Sequence, residues 1–556
     1  GASNVAVGVN ALLLNTTGTS NIAMGVAALD VNTTGNYLTG IGSNALGGNT
    51  TGSNNTAVGY YALFTNTTGA SNVAVGLNAL LLNTTGVNNV AIGEGALDAN
   101  TTANNNTAMG FGALSANTTG AASTAVGVSA LLAATTGTNN VAMGYVTLTA
   151  NTTGSSNTAL GQASATQCTT GSNNVSVGLN SLYYNQTGGQ NVAIGNSALT
   201  GASGQSATGN VAIGQASMSA NTTGGSNVAV GAYTLDANTT AGYNTAVGYN
   251  SMTANTTGNY HAALGYNSLI ANTTGTLNTA IGALTLVGNT TGANNTAVGV
   301  QALNANTTAS NNVAVGQAAL TLNTTGANNT AVGFNALDAN TTAGGNTAVG
   351  YAALGANTTG SVLTAVGLNA LAANTTGTNN VGLGTNAGTA TTTGTYNIFV
   401  GTNSGVANTT GGSNTVVGNL ALDANTTGTY NVAMGLSALG ANTTAAYNVA
   451  IGSSALVANT TGASNTAVGH YTLGVNTTGG SNVAMGHGAL DANTTANYNT
   501  AVGTSALGNN TTGHSNTAFG RYALIANSTA SFNTAVGLQA LNAATTGGYN
   551  TALGHL

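Results

Sequence analysis

Apolar and polar positions along this chain recur with a period of 17 residues. With each recurring glycine taken as position 0, an apolar residue stands at −1 in every repeat, from Val7 to Leu553, and a leucine nearly always at +4. The glycines step by 17 from Gly8 to Gly195, shift once by 19 to Gly214, and step by 17 again to Gly554, giving 12 + 21 = 33 phased repeats. Asn55-Thr56-Ala57-Val58-Gly59, followed by Ala62, Leu63, Asn66, Thr67, Thr68 and Gly69, represents the unit. Seventeen residues are too few for a two-helix repeat. Glycine and Asn-Thr-Thr-Gly in every unit are strand and turn chemistry, not helix chemistry. The expected fold is therefore all-β, a parallel β-solenoid (β-roll) of about 33 coils with 17 residues per coil. At about 4.8 Å per coil this predicts a rod of roughly 160 Å.

The register separates candidate core from candidate surface. Positions −1 and +4 read as interior, with Val58 and Leu63 as examples, because all seven methionines fall there and methionine fills irregular core gaps. Small residues at −2 and +3 suit a thin coil with close walls. Gly388 and Gly405 lose the +4 leucine in successive repeats, while Phe399 between them replaces the small residue at −2. Lost and gained volume in neighbouring coils predicts a shared core around Phe399. Gly59, Gly76, Gly93 and Gly299, like every position 0, read as corners needing positive φ or close backbone approach. All six aspartates stand at +5, and most tyrosines at −5, +1 or +2. These positions should face outward, which makes Tyr249, Tyr266 and Tyr351 candidate surface contacts.

Composition narrows the function classes. The chain has 556 residues but one basic and seven acidic side chains, for a net charge of −6. Arg521 alone cannot neutralise a phosphate backbone, so nucleic acid is excluded as a partner. No apolar run approaches the roughly 18 residues of a membrane span, so no membrane insertion is expected. The scarcity of charge follows from stacking: like charges about 4.8 Å apart on adjacent coils repel by roughly 0.9 kcal/mol even in water. No linker or second domain interrupts the pattern. Residues 1–198 and 211–556 form one continuous array with a phase slip at 199–210, expected to be a segment of a longer chain.

Chemically suggestive groups are few. Asn occupies −4 in 29 of 33 repeats and +7 in 27 of 32, which predicts two side-chain ladders running from coil to coil. Every +7 asparagine is also formally a glycosylation sequon. Paired threonines at +8 and +9 predict a hydroxyl-bearing face, a surface chemistry that suits ice binding. His470 and His487 share position +1 in successive coils and are weak candidates for a metal. Cys168 replaces a +7 asparagine without a basic or histidine partner and reads as a tolerated substitution. With five scattered histidines no catalytic constellation forms, so the chain is read as non-enzymatic and without cofactor.

The recurrent Asn-[Thr/Val]-Ala-[Val/Ile]-Gly-x-x-Ala, as at Asn89-Val90-Ala91-Ile92-Gly93 to Ala96, resembles head-domain repeats of trimeric autotransporter adhesins and the repeat arrays of phage tail-fibre proteins. Its 17-residue unit departs from the 14 residues common in adhesin heads. The resemblance implies a left-handed parallel β-roll, three chains per fibre, and an extracellular position on a virion or cell surface. The expected function is the structural shaft of a fibre that spaces a binding tip from its base, built as a homo-oligomer or filament. Two other readings are a multivalent surface binding a host receptor or glycan along the rod, and an ice-binding solenoid.

Overall fold

A computed structural model describes residues 1–555. The regular elements among them are 33 three-residue strands, one per repeat, from β1 (Val5–Val7) to β33 (Thr551–Leu553). They fall into two compact units, Gly1–Leu277 and the residues from Asn278 onward. The first holds β1 to β16 (Ala262–Leu264), the second β17 (Thr279–Ile281) to β33. Within each unit, successive strands pair in parallel with residue i opposite i + 17, as in Thr56↔Val73, Ala57↔Ala74 and Val58↔Val75. Each unit is thus a parallel β-solenoid, and the expected fold class holds.

Four residues per coil take positive φ, and they make the coil. Position 0 lies at +122 to +143° in all 33 repeats, as in Gly59 (140°), Gly76 (131°), Gly93 (135°) and Gly299 (130°). Positions −5, +2 and +4 instead sit near the left-handed helical well, as Ser71 (58°), Asn78 (57°) and Leu80 (53°) do. That well admits other residues at a cost, whereas the wider φ of position 0 is closed to a Cβ. A Cβ on Gly76 would also lie 2.6 Å from the carbonyl oxygen of Gly93 in the next coil. Positive φ and close backbone approach, both anticipated for the corner glycines, are therefore present together.

Leucine at +4 is the unexpected member of this set, because a bulky side chain in the left-handed region costs about 1–2 kcal/mol. Leu63 (φ 52°) is fully buried. Burying a leucine contributes about 1.5–3 kcal/mol, and this outweighs the strain. The conformation turns Ala62 and Leu63, adjacent in sequence, both inward. Where leucine is missing, Gly388 and Gly405 keep the same φ (58° and 54°).

Val58 does not belong to the core. The strand Thr56–Val58 buries only its middle residue. Side chains alternate along a strand, so once Ala57 points inward, Thr56 and Val58 point out. The methionines divide accordingly: Met218 and Met252 at +4 have no exposure, whereas Met24, Met109, Met143, Met434 and Met485 at −1 are 36–43% exposed.

Phe399 fills the space predicted for it. It is fully buried, and a Cβ on Gly388 or Gly405 would come within 2.5 Å or 2.2 Å of its ring. Opposite it in the register stand Gly382 and Val416.

The phase slip lies inside the first unit and leaves the sheet in register. β12 (Val192–Ile194) pairs with β13 (Val211–Ile213) as Val192↔Val211. The Gln205 carbonyl accepts from the amides of Gln186 and Thr187 at 3.0 and 3.3 Å, the role of the +8 carbonyl elsewhere. The two extra residues are therefore absorbed between Leu199 and Gln205.

Candidate functional site

Two asparagine ladders run along the inside of each unit and meet at one carbonyl per coil. Asn55, at −4, donates from Nδ2 to the Gly69 carbonyl across the coil at 2.8 Å, and its Oδ1 accepts the backbone N–H of Asn72 in the next coil at 2.9 Å. Asn66, at +7, donates from Nδ2 to Asn49 Oδ1 of the preceding coil at 2.7 Å and to the same Gly69 carbonyl at 2.9 Å. Both asparagines are fully buried. Hydrogen bonds of this kind offset the cost of burying the amides. His261, which stands at −4 in place of asparagine, brings Nε2 to 2.7 Å from the Gly275 carbonyl and so keeps that cross-coil contact.

The +7 ladder is broken where Ala134, Cys168, Thr391 and Ala544 replace asparagine and where the slip intervenes. The asparagine just before each break, Asn117, Asn151, Asn185, Asn374 and Asn527, has a buried Oδ1 with no hydrogen-bond partner. Asn151, caught between Ala134 and Cys168, also lacks a partner for Nδ2. Gln205 in the slip is buried with both amide atoms unmatched. Cys168 Sγ lies 3.6 Å from the Gly171 carbonyl, a weak substitute, and burial pushes its thiol up to about 11. It is a neutral, sealed thiol at ordinary pH.

The ladders also decide the sequons and the threonines. Where both Nδ2 hydrogens are engaged and the side chain is enclosed, as at Asn66, the +7 amide is closed to a glycan. Thr67, at +8, donates its hydroxyl to the Thr84 carbonyl at 3.0 Å. That carbonyl also accepts the amides of Thr67, Thr68 and Gly69. Except in the end coils, only the +9 threonine, such as Thr68, is exposed, so the two-row hydroxyl face becomes a single rank.

The outer strand face is the most distinctive surface. Position −1 is apolar in every repeat and −3 is almost always Val, Ile or Thr, with no charge at either. Ile41, Met143, Leu264, Met434, Ile451 and Phe519 are among its exposed residues. Contiguous exposed apolar patches larger than a few hundred Å² are uncommon on soluble monomers.

Aromatic rungs stack elsewhere on the outside. Tyr249 and Tyr266 lie 6.0 Å apart at 11°, Phe334 and Tyr351 5.4 Å apart at 11°, and Tyr430 and Tyr447 5.2 Å apart at 1°. Tyr249, Tyr266 and Tyr351 are all about half exposed. His470 and His487 stack in the same way, 5.3 Å apart at 13°. The +5 aspartates are half-buried, and desolvation pushes Asp30, Asp236, Asp338, Asp423 and Asp491 above the usual carboxylate range. Among the described residues no group of three or more His, Cys, Asp or Glu side chains is arranged to hold a metal. No helix among them is long and apolar enough to cross a membrane.

The chain is a β-solenoid repeat protein with internal asparagine ladders. No protein-family model matches it, and no curated protein matches it in sequence.

Proposed function

We propose that this array is a non-enzymatic structural shaft of an extracellular fibre, on a virion or cell surface, that spaces or presents a binding tip. In this reading copies of the chain associate side by side through the outer strand face, as a homotrimer if the likeness to adhesin heads and tail fibres extends to assembly. The observation that carries it is the uncharged apolar stripe at −1, repeated in all 33 coils. A partner that covers such a stripe must carry the same axial repeat, and a second copy does so by construction. Each coil contributes a small core, and repeat number sets the length.

Analytical ultracentrifugation tests this reading with four well-separated substitutions on the face, Ile41→Lys, Met143→Lys, Met434→Lys and Met485→Lys. The expected result is an oligomer at micromolar concentration that the variant reduces to a monomer with its β circular dichroism intact. A wild-type monomer would sink the assembled shaft.

The stacked rungs at Tyr249/Tyr266 and Tyr430/Tyr447 favour a second reading, a multivalent surface binding a host receptor or glycan along the shaft. Cell binding by the array alone, lost on replacing these tyrosines with serine, would support it. Binding confined to a separate tip would remove it.

A further inference from the structure

We propose that His470 and His487 form a chelating site for a late first-row transition-metal ion, Cu2+ most tightly, with Ni2+ and Zn2+ weaker. This is independent of the shaft reading. The solenoid supplies the geometry. Both histidines occupy +1 in adjacent coils, and backbone bonds lock those coils together on both sides of them: Gly486 N–H donates to the Val468 carbonyl at 2.8 Å, and Gly488 N–H to the His470 carbonyl at 3.1 Å. The imidazoles consequently face the same way, 5.3 Å apart between centroids and 13° from parallel. Both are exposed, so a cation reaches them without opening the fold.

A metal bound to two imidazole nitrogens at about 2.0–2.1 Å holds them no more than about 4 Å apart. The 5.3 Å separates the centroids of nearly parallel rings, whose in-plane nitrogen lone pairs run side by side, so chelation requires both exposed side chains to turn until one nitrogen of each points at the same ion. The Tyr471 ring stands 6.2 Å from that of His470, centroid to centroid, and the neighbouring +1 side chains are small. Ser453 and Thr504 stand at +1 on either side, and Gly488 beside His487 has no side chain. The Asp491 carboxylate lies near enough to His487 to interact with its charge, which favours a cation at this point. Imidazole pairs suit copper, nickel and zinc, with copper tightest along the series. The remaining coordination positions stay open to water or an external ligand. None of the other histidines forms such a pair: His261 is buried in the asparagine ladder, His514 contacts Ser515 and Phe532, and His555 stands alone at its +1.

The test is titration of the full chain with Cu2+, Ni2+ and Zn2+ by isothermal calorimetry, beside His470→Ala, His487→Ala, the double variant and His514→Ala. The +1 position varies freely among coils, so circular dichroism should be unchanged in all of them. The expected result is one ion per chain, with each single substitution weakening binding about tenfold or more, because the second imidazole acts at high effective concentration. His514→Ala should bind as the wild type does. Equal affinity for wild type and either single variant would overturn the chelate, as would wild-type binding no tighter than that of the double variant.

Discussion

Glycine at position 0 and leucine at +4 both take positive φ, yet only the first excludes every other residue. The difference is conformation and not space. A Cβ on Gly69, at +10, would lie 2.4 Å from Asn66 Oδ1, much as one on Gly76 would crowd its neighbour, but the same +10 position accepts Ala103, Ala309 and Ala445 by small shifts. Position 0 accepts nothing, because its φ near +135° lies outside the wells open to L-residues. The asparagines follow a similar logic of dependence: the amide of each is fully matched only while its neighbour one coil away supplies the partner. Restoring asparagine at Ala134 would give Asn117 Oδ1 a donor and Asn151 Nδ2 an acceptor, both now unmatched. Ala134→Asn is therefore expected to stabilise the local coils by about 1 kcal/mol. The measurement is hydrogen exchange of the amides around Asn117 and Asn151, and slower exchange is expected. Unchanged or faster exchange would mean that water already satisfies these atoms.

Each coil is a single short strand plus turns, and it has no stability apart from its neighbours. The Phe399 neighbourhood illustrates this, since its ring occupies volume vacated by two different coils. Phe399→Ala is expected to cost about 3–5 kcal/mol, concentrated in the coils of Gly388 and Gly405. Local hydrogen exchange is the proper readout, because the melting of a long array averages the loss away. Protection in those two coils equal to wild type would refute the shared core. This cluster was legible in the sequence, because compensating volume at positions one repeat apart shows up as a pattern. The strand face is not legible in the same way. Both −2 and −1 had the signature of interior positions, small and apolar respectively, but adjacent strand residues cannot both face inward. Val58 is outside for that reason. The reverse case occurs at Ala62 and Leu63, which do both face inward. That exception depends on left-handed residues at +2 and +4, and leucine gives no sequence signal of its own for that conformation.

At the scale of the molecule, scarce charge is a property of stacking. The six aspartates recur no closer than four coils apart, about 19 Å, beyond the Debye length of about 8 Å at physiological salt. Even so, five of them lie where desolvation raises their pKa. A carboxyl with a folded pKa above its unfolded value favours the fold when protonated. That contribution is complete below the unfolded value, near 3.8, and is lost as pH rises through the folded value. Asp338→Asn should accordingly be more stable than wild type at pH 7, and the difference should close as the pH falls toward 3.8. Chemical denaturation of the two proteins across that range checks the sign. A gap that widened on acidification would show that the carboxylate form is the one stabilised.

The sequence by itself determined the repeat, the number of coils, the corner glycines, the two asparagine ladders and the candidate residues at +1 and +5, because each is a statement about period and residue type. Only the tertiary structure decided which apolar residues face inward, which threonine hydroxyl remains free, and that a break in the ladder orphans the asparagine one coil before it. The physical reason is the same in each case. A side chain's direction follows from the backbone dihedrals of its coil, and its satisfaction depends on the coil stacked against it, neither of which is written in the 17-residue unit alone.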